Sequence, residues 1–162
     1  VSINSLAVLN PSIIRDGARA FGRQCMVLGL DAKYVGVSEQ IPSGYEVVIH
    51  GGRKPTGIDA VAWARQAEEL GIGEICLNSI DADGVRSGYE LHITEKIAQA
   101  VQVPVIASGG AGTPEHIIQL FRETSADAAL VASMVHFGDY SVAQIKRSMS
   151  DAGIVVRRVW EE

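Results

Sequence analysis

Glycines, serines and a strand-end carboxylate are the residues of this chain whose types and spacing can do chemistry. Val103 to Glu115 reads VPVIASGGAGTPE, an apolar β-branched run that passes into a glycine-rich turn and then a helix start. Ser108, Gly109, Gly110 and Gly112 offer a hydroxyl and backbone N–H groups with no Cβ in the way. Thr113 is a capping type, and Pro114 suits the first helical position. Such a turn can cradle an anion. The next apolar run, Ala128 to Ala132, ends in Ser133, so two strand ends can hold one phosphate between them. Asp31 closes the apolar run CMVLGL from Cys25 to Leu30. It is placed either as a general acid or base at the mouth of a site, or as a helix cap or loop carboxylate.

Other polar residues gather at a third strand exit. Asn78, Ser79, Asp81 and Asp83 follow the run EICLN from Glu74 to Asn78. With Gly84, the two aspartates form an Asx-type turn or bind substrate hydroxyls. Thr56 and Gly57 either touch a ligand or begin a helix. The four histidines, His50, His92, His116 and His136, have no metal spacing and no partner serine or cysteine, which assigns them surface or capping roles. Cys25 and Cys76 both lie in apolar strand-like runs and read as packed, reduced thiols. No metal and no organic cofactor is expected.

The elements that must position these residues alternate along the chain. A strand stub at Val1 to Ser5 is followed by a helix that starts at Asn10–Pro11 and stops at Gly22, then by the Cys25–Leu30 strand. The stretch from Ala32 to Thr56 is polar and glycine-containing; its alternating segment Tyr45 to His50 predicts a small hairpin in a mobile loop. Helices follow at Asp59 to Leu70, Leu91 to Val101 and Ile117 to Phe121, interleaved with the strands at Glu74, Val103 and Ala128. A last helix carries Val142, Ile145 and Met149, before a short tail, IVVRRVWEE. Continuously apolar strands predict parallel pairing with cover on both faces. The whole is one α/β domain, residues 1–162, with its polar residues at strand C-termini. A phosphate held by two consecutive strand ends is typical of the last two βα loops of a (β/α)8 barrel.

Composition narrows the partners. With 162 residues, 47% hydrophobic and 20% charged, the chain can build a real core. A net charge of -5 without a basic stripe argues against nucleic acid. No apolar run approaches the ~20 residues of a membrane span, and no basic, apolar leader is present. Together these predict a cytoplasmic protein that binds a small phosphorylated metabolite.

Taken in order and at their spacing, VSINS, GLDAK, EICLNSIDADG, VPVIASGGAG and ALVASMVHF resemble the cyclase subunit of imidazole glycerol phosphate synthase, a lyase of histidine biosynthesis. The resemblance covers the whole chain. It implies a phosphosugar-binding barrel that takes ammonia from a glutaminase partner. The barrel cleaves and cyclises a phosphoribulosyl-formimino ribotide to imidazole glycerol phosphate and an aminoimidazole carboxamide ribotide. It further implies that Asp31 is one of two catalytic aspartates and that Gly84, Gly110, Ala132 and Ser133, with Gly109 in the same turn, contact phosphate. Asn4 and Ser5 would contact the far end of the substrate, while Asn78, Asp83 and Ser108 line the mouth. Glu74 would belong to a charged ammonia gate on the opposite face, or be a surface carboxylate.

A (β/α)8 barrel typically takes about 250 residues. The expectation is therefore a partial barrel, strands four through eight with their helices, that lacks the second aspartate and is inactive unless an N-terminal barrel part joins it from the same or another chain. The alternative is a non-catalytic phosphosugar-binding half-barrel or assembly module.

Overall fold

Apolar strand runs and one-faced helices build a seven-stranded sheet in the computed structural model, which describes residues 1–157. The order is β1 (Ser2–Ile3), α1 (Ser5–Leu9), α2 (Ser12–Phe21), a 3-10 turn at Arg23–Cys25 and β2 (Val27–Tyr34). Next come β3 (Tyr45–Ile49), β4 (Lys54–Asp59), α3 (Ala60–Leu70), β5 (Glu74–Ser79), α4 (Leu91–Ala100) and β6 (Val105–Ser108). The chain continues through α5 (Pro114–Glu123), β7 (Ala128–Ala129), α6 (Ser133–His136) and α7 (Val142–Asp151). The last residues of the tail, 158–162, lie outside the described residues.

β2 is the hub of the sheet. It pairs in parallel with β1 and β5, and β5, β6 and β7 continue in parallel. The fold is thus α/β with a parallel core, as the alternation of runs predicts. The expected mobile hairpin loop is instead part of the sheet. β2 extends past its apolar run to Tyr34, and Asp31 to Tyr34 pair antiparallel with Val48 to Tyr45. β4 adds to the outside of β3. Val47, Val48 and Ile49 are buried, so the β-branched segment covers an edge that β2 would otherwise leave open.

Cover on both faces does not hold either. Leu28, Leu30 and Ala32 of β2, Ile75 and Leu77 of β5, and Val105 of β6 are buried in one cluster with Trp63, Ala64 and Ala67 of α3 and Ile93 and Ile97 of α4. The opposite face, with Gly29, Asp31, Glu74, Cys76, Asn78, Ile106 and Ser108, is only half-buried. Period-two alternation of side chains puts all of these functional candidates on that one face.

Local starts and stops differ in four places. β7 stops at Ala129 instead of running to Ala132, and Ser133 opens the short helix α6 rather than closing a strand. The strand stub read over Val1 to Ser5 stops at Ile3, Ser5 to Leu9 form a helix instead, and Pro11 sits at the N-cap of α2. Cys25 lies in the 3-10 turn and is exposed, so it is not a packed strand thiol; Cys76 is half-buried, and both are free. Thr113 precedes Pro114 but makes no side-chain cap bond. The Gly112 N–H in this turn donates instead to His116 Nδ1 at 3.1 Å.

The α3 cap is the firmest local feature. Asp59 accepts from the Val61 and Ala62 N–H groups, each at 3.0 Å, and from Ser43 N–H at 2.7 Å. Gly71, at φ 114°, closes the other end. Burial pushes the Asp59 carboxyl up, but the bonds from Ser43, Ala62 and Val61 outweigh it and hold the group below its ordinary value. Their contribution is present above the unfolded carboxylate range and is lost as pH falls through the lowered value. Asp59→Ala is expected to cost about 1–2 kcal/mol at pH 7 and to flatten the acid limb of stability. Urea melts of variant and parent at pH 7 and at pH 3 check this; equal midpoints at pH 7 would remove the cap from the account.

Candidate functional site

Strand register assembles the site. Asp31 of β2 lies opposite Asn78 of β5, which lies opposite Ser108 of β6, so three polar residues form one row across three strand ends. Strands lie about 4.8 Å apart, which separates Asp31 from Ser108 by about 10 Å. Asn4 joins the row from the β1 exit. Its Nδ2 donates to Asp31 Oδ2 at 2.9 Å, and Asn78 Nδ2 donates to Asp31 Oδ1 at 3.4 Å. Both carboxylate oxygens therefore accept from carboxamides that fix the orientation of the group. Asn4 Oδ1 is buried without a partner. An acceptor left open beside an oriented carboxylate suits a ligand that brings an N–H or O–H donor.

Gly29 makes the approach of Asn4 possible. A Cβ there would lie 3.2 Å from Asn4 Cβ and 3.4 Å from Ser2 Oγ, tight enough to press Asn4 away from Asp31. Ser5 is engaged elsewhere, with its hydroxyl accepting from His50 N–H at 2.9 Å.

Below this row, on the same face, Cys76 pairs with Gly29 and with Ile106, and Glu74 pairs with Val27. Glu74 and Asn78 are four residues apart on one strand, about 13 Å at the usual rise. Glu74 thus occupies the far end of the face that carries Asp31. Cys76 sits between them, and burial, then the charges of Glu74 and Asp31, push its thiol up. It is not a ready nucleophile.

The glycine turn forms a second feature beside the row. A cavity of about 100 Å³ is lined by Asp83, Gly84, Ser108, Gly109, Gly110, Ala132 and Ser133, all predicted from sequence, and by Arg86, Ala111 and Leu130, which were not. Gly84, Gly109 and Gly110 have φ of 77°, 88° and 101°, in the left-handed region that glycine enters at little cost. Crowding adds a second constraint. A Cβ on Gly110 would fall 2.0 Å from the Gly88 carbonyl oxygen, and one on Gly109 would fall 2.9 Å from the Ser79 carbonyl oxygen. Gly88 N–H also donates to the Gly110 carbonyl at 2.9 Å. The absent Cβ thus serves loop-to-loop packing first, and closeness to a ligand second.

The remaining polar candidates take structural posts. Asp81 accepts from Tyr34 N–H at 2.7 Å and pins the end of β2, rather than closing an Asx turn on its own loop. Thr56 donates to the Val47 carbonyl at 2.7 Å inside the β3–β4 pair, and Gly57 also lies in β4, so neither begins a helix. His92 faces the Tyr45 hydroxyl at 3.4 Å. Arg86 is not marked by residue type in a turn whose neighbours read as Asx or glycine positions. Its proximity to Gly84 was the available signal.

Row and cavity together place an oriented carboxylate and a glycine-lined cavity at neighbouring strand ends of an α/β sheet with a parallel core. Residues 1–141 match the family described as histidine biosynthesis protein. The chain is 62% identical over 160 residues to imidazole glycerol phosphate synthase subunit HisF of Syntrophobacter fumaroxidans. It is 61% identical to the protein of the same name from Desulforapulum autotrophicum and 60% identical to that from Solidesulfovibrio magneticus. Each match takes in 99% of this chain and 62% of the relative's length. The chain belongs to the histidine biosynthesis protein family. No helix among the described residues is long and apolar enough to cross a membrane.

Proposed function

We propose that this chain forms the strand-four-to-strand-eight part of a (β/α)8 barrel that acts as the ammonia-dependent cyclase of an imidazole glycerol phosphate synthase. It is then a cytoplasmic lyase of histidine biosynthesis without cofactor. Ammonia from a glutaminase subunit enters past Glu74 at one end of the half-buried face, and the phosphorylated ribotide is cleaved and cyclised at the other. Asp31 exchanges a proton with the reacting ribotide. Asn4 and Asn78 hold its carboxylate in place, and one phosphate sits in the cradle of Gly84, Gly109, Gly110, Ala132 and Ser133. Asn78, Asp83 and Ser108 line the space between, and Ser5 borders the far end of the substrate. A partner carboxylate comes from barrel outside these 162 residues; more than a third of each relative's length is unmatched by this chain.

The observation that carries this reading is the row itself: a carboxylate with both oxygens bonded to asparagines, two strands away from a glycine-lined cavity. A long substrate with a phosphate at one end and its reacting centre about 10 Å away fits that spacing. The test is ammonium-driven conversion of the ribotide by this chain mixed with a fragment that supplies the rest of a relative's length. Imidazole glycerol phosphate is the expected product of the mixture. If the two parts associate, fold and bind substrate yet yield none, the cyclase assignment fails and phosphosugar binding alone remains.

A further inference from the structure

Arg86 stands at the rim of the cradle in an unusual posture. Its φ is 63°, one of two positive values among the described non-glycine residues, a conformation that costs energy for a long side chain. The loop holds it there. A Cβ on Gly112 would fall 2.3 Å from the Arg86 carbonyl oxygen and 2.9 Å from its Cβ, so the backbones of the two turns are pressed together at this point. From this position the guanidinium forms an ion pair with Asp139, three residues beyond the end of α6. The two side chains are 39% and 40% exposed, so water screens the pair and parting it is cheap.

The charges lining the cavity set up a problem that Arg86 solves. Asp83 contributes a carboxylate, and Arg86 is the one cation among the lining residues. Backbone N–H groups that bind a phosphate dianion beside a carboxylate work against repulsion, which a guanidinium offsets. Only one guanidinium nitrogen is engaged by Asp139, which leaves donors of the planar fork for phosphate oxygens.

We infer that Arg86 is a phosphate ligand of this cradle, and that Asp139 holds its guanidinium at the rim in competition with the anion. The inference rests on the cradle being a phosphate site. Bound phosphate draws the guanidinium inward, and Asp139 weakens binding both by retaining Arg86 and by its own charge.

Titration calorimetry of the chain with inorganic phosphate at pH 8, at two potassium chloride concentrations, separates the possibilities. Arg86→Asn keeps a side chain that tolerates left-handed backbone; it is expected to weaken binding about tenfold or more and to flatten the salt dependence. Arg86→Lys should recover part of that loss, since it restores charge without the fork. Asp139→Asn should tighten binding severalfold. Thermal melts establish that each variant is folded, and Gly110→Val serves as the control for the cradle. A parent that takes up no phosphate, or a folded Gly110→Val that binds as the parent does, overturns the cradle assignment and this inference with it. A parent that binds, with Arg86→Asn its equal or Asp139→Asn its equal or weaker, overturns the inference alone.

Discussion

Asp31→Asn is expected to lower ammonium-driven turnover by about 10²–10⁴-fold, the usual contribution of a positioned general acid or base, while affinity for the phosphorylated ribotide stays close to that of the parent. The two effects separate because the carboxylate and the cradle lie on different strands, about 10 Å apart across the row. The substitution is not silent structurally. Asn4 and Asn78 both donate to Asp31, and a carboxamide accepts through one oxygen only, so one of these donors meets an N–H instead of an acceptor. The row is half-buried, and the misfit should cost about 1 kcal/mol of stability, too little to unfold the chain. Steady-state rates in a complemented assay and a binding titration on the same preparation provide the comparison. Turnover at the parental rate would take Asp31 out of the mechanism, and a parallel collapse of binding would make it a substrate anchor instead.

Gly110→Val is expected to abolish phosphate binding. Two physical effects point the same way. A β-branched residue at φ near 100° costs about 1–3 kcal/mol in backbone strain, and its Cβ would collide with the Gly88 carbonyl oxygen, which belongs to backbone and has no rotamer by which to escape. The loop that carries Asp83, Gly84 and Arg86 must then shift, and the cavity loses its shape. Gly84→Ala provides the scale. Its φ is also positive, but nothing lies within 4 Å of the added Cβ, so strain appears without collision and binding should fall by a smaller factor. If calorimetry finds Gly110→Val weaker by no more than Gly84→Ala, interlocking of the two loops is not what shapes the cradle.

Much of this was legible in residue types. The signals around α3 are local chemistry: Asp59 supplies a short carboxylate ahead of an apolar periodicity, and Gly71 supplies the left-handed stop. Pro114 at the head of α5 is of the same kind. That the glycine turn and Ser133 lie close together was legible in part: both follow apolar runs, and both line one cavity, although β7 stops at Ala129 and Ser133 opens α6. What the sequence hid is whatever depends on register. That Asp31, Asn78 and Ser108 share a row follows from hydrogen bonding between strands far apart in sequence. No window along the chain contains it.

The antiparallel β3 was hidden for the same reason, since the alternation in YEVVI does not say which edge it covers. α1 was not marked out because SLAVL is apolar and short, where helix and strand periods cannot be told apart. Arg86 lies two residues beyond Gly84, which was the one local signal; its positive φ and its place on the cavity carry no mark of their own in the sequence.

The interlock between the glycine turn and the loop before α4 has a thermodynamic consequence. Gly109 lies against the Ser79 carbonyl, Gly110 against that of Gly88, and Gly112 against that of Arg86, so main chain meets main chain at three successive points with no side chain between to yield. The ordering cost of these two backbone segments is met during folding. On the proposed reading, an anion captured there would meet backbone N–H groups already fixed, and the entropy change would be set by released water, by the ion and by the Arg86 side chain that it draws inward.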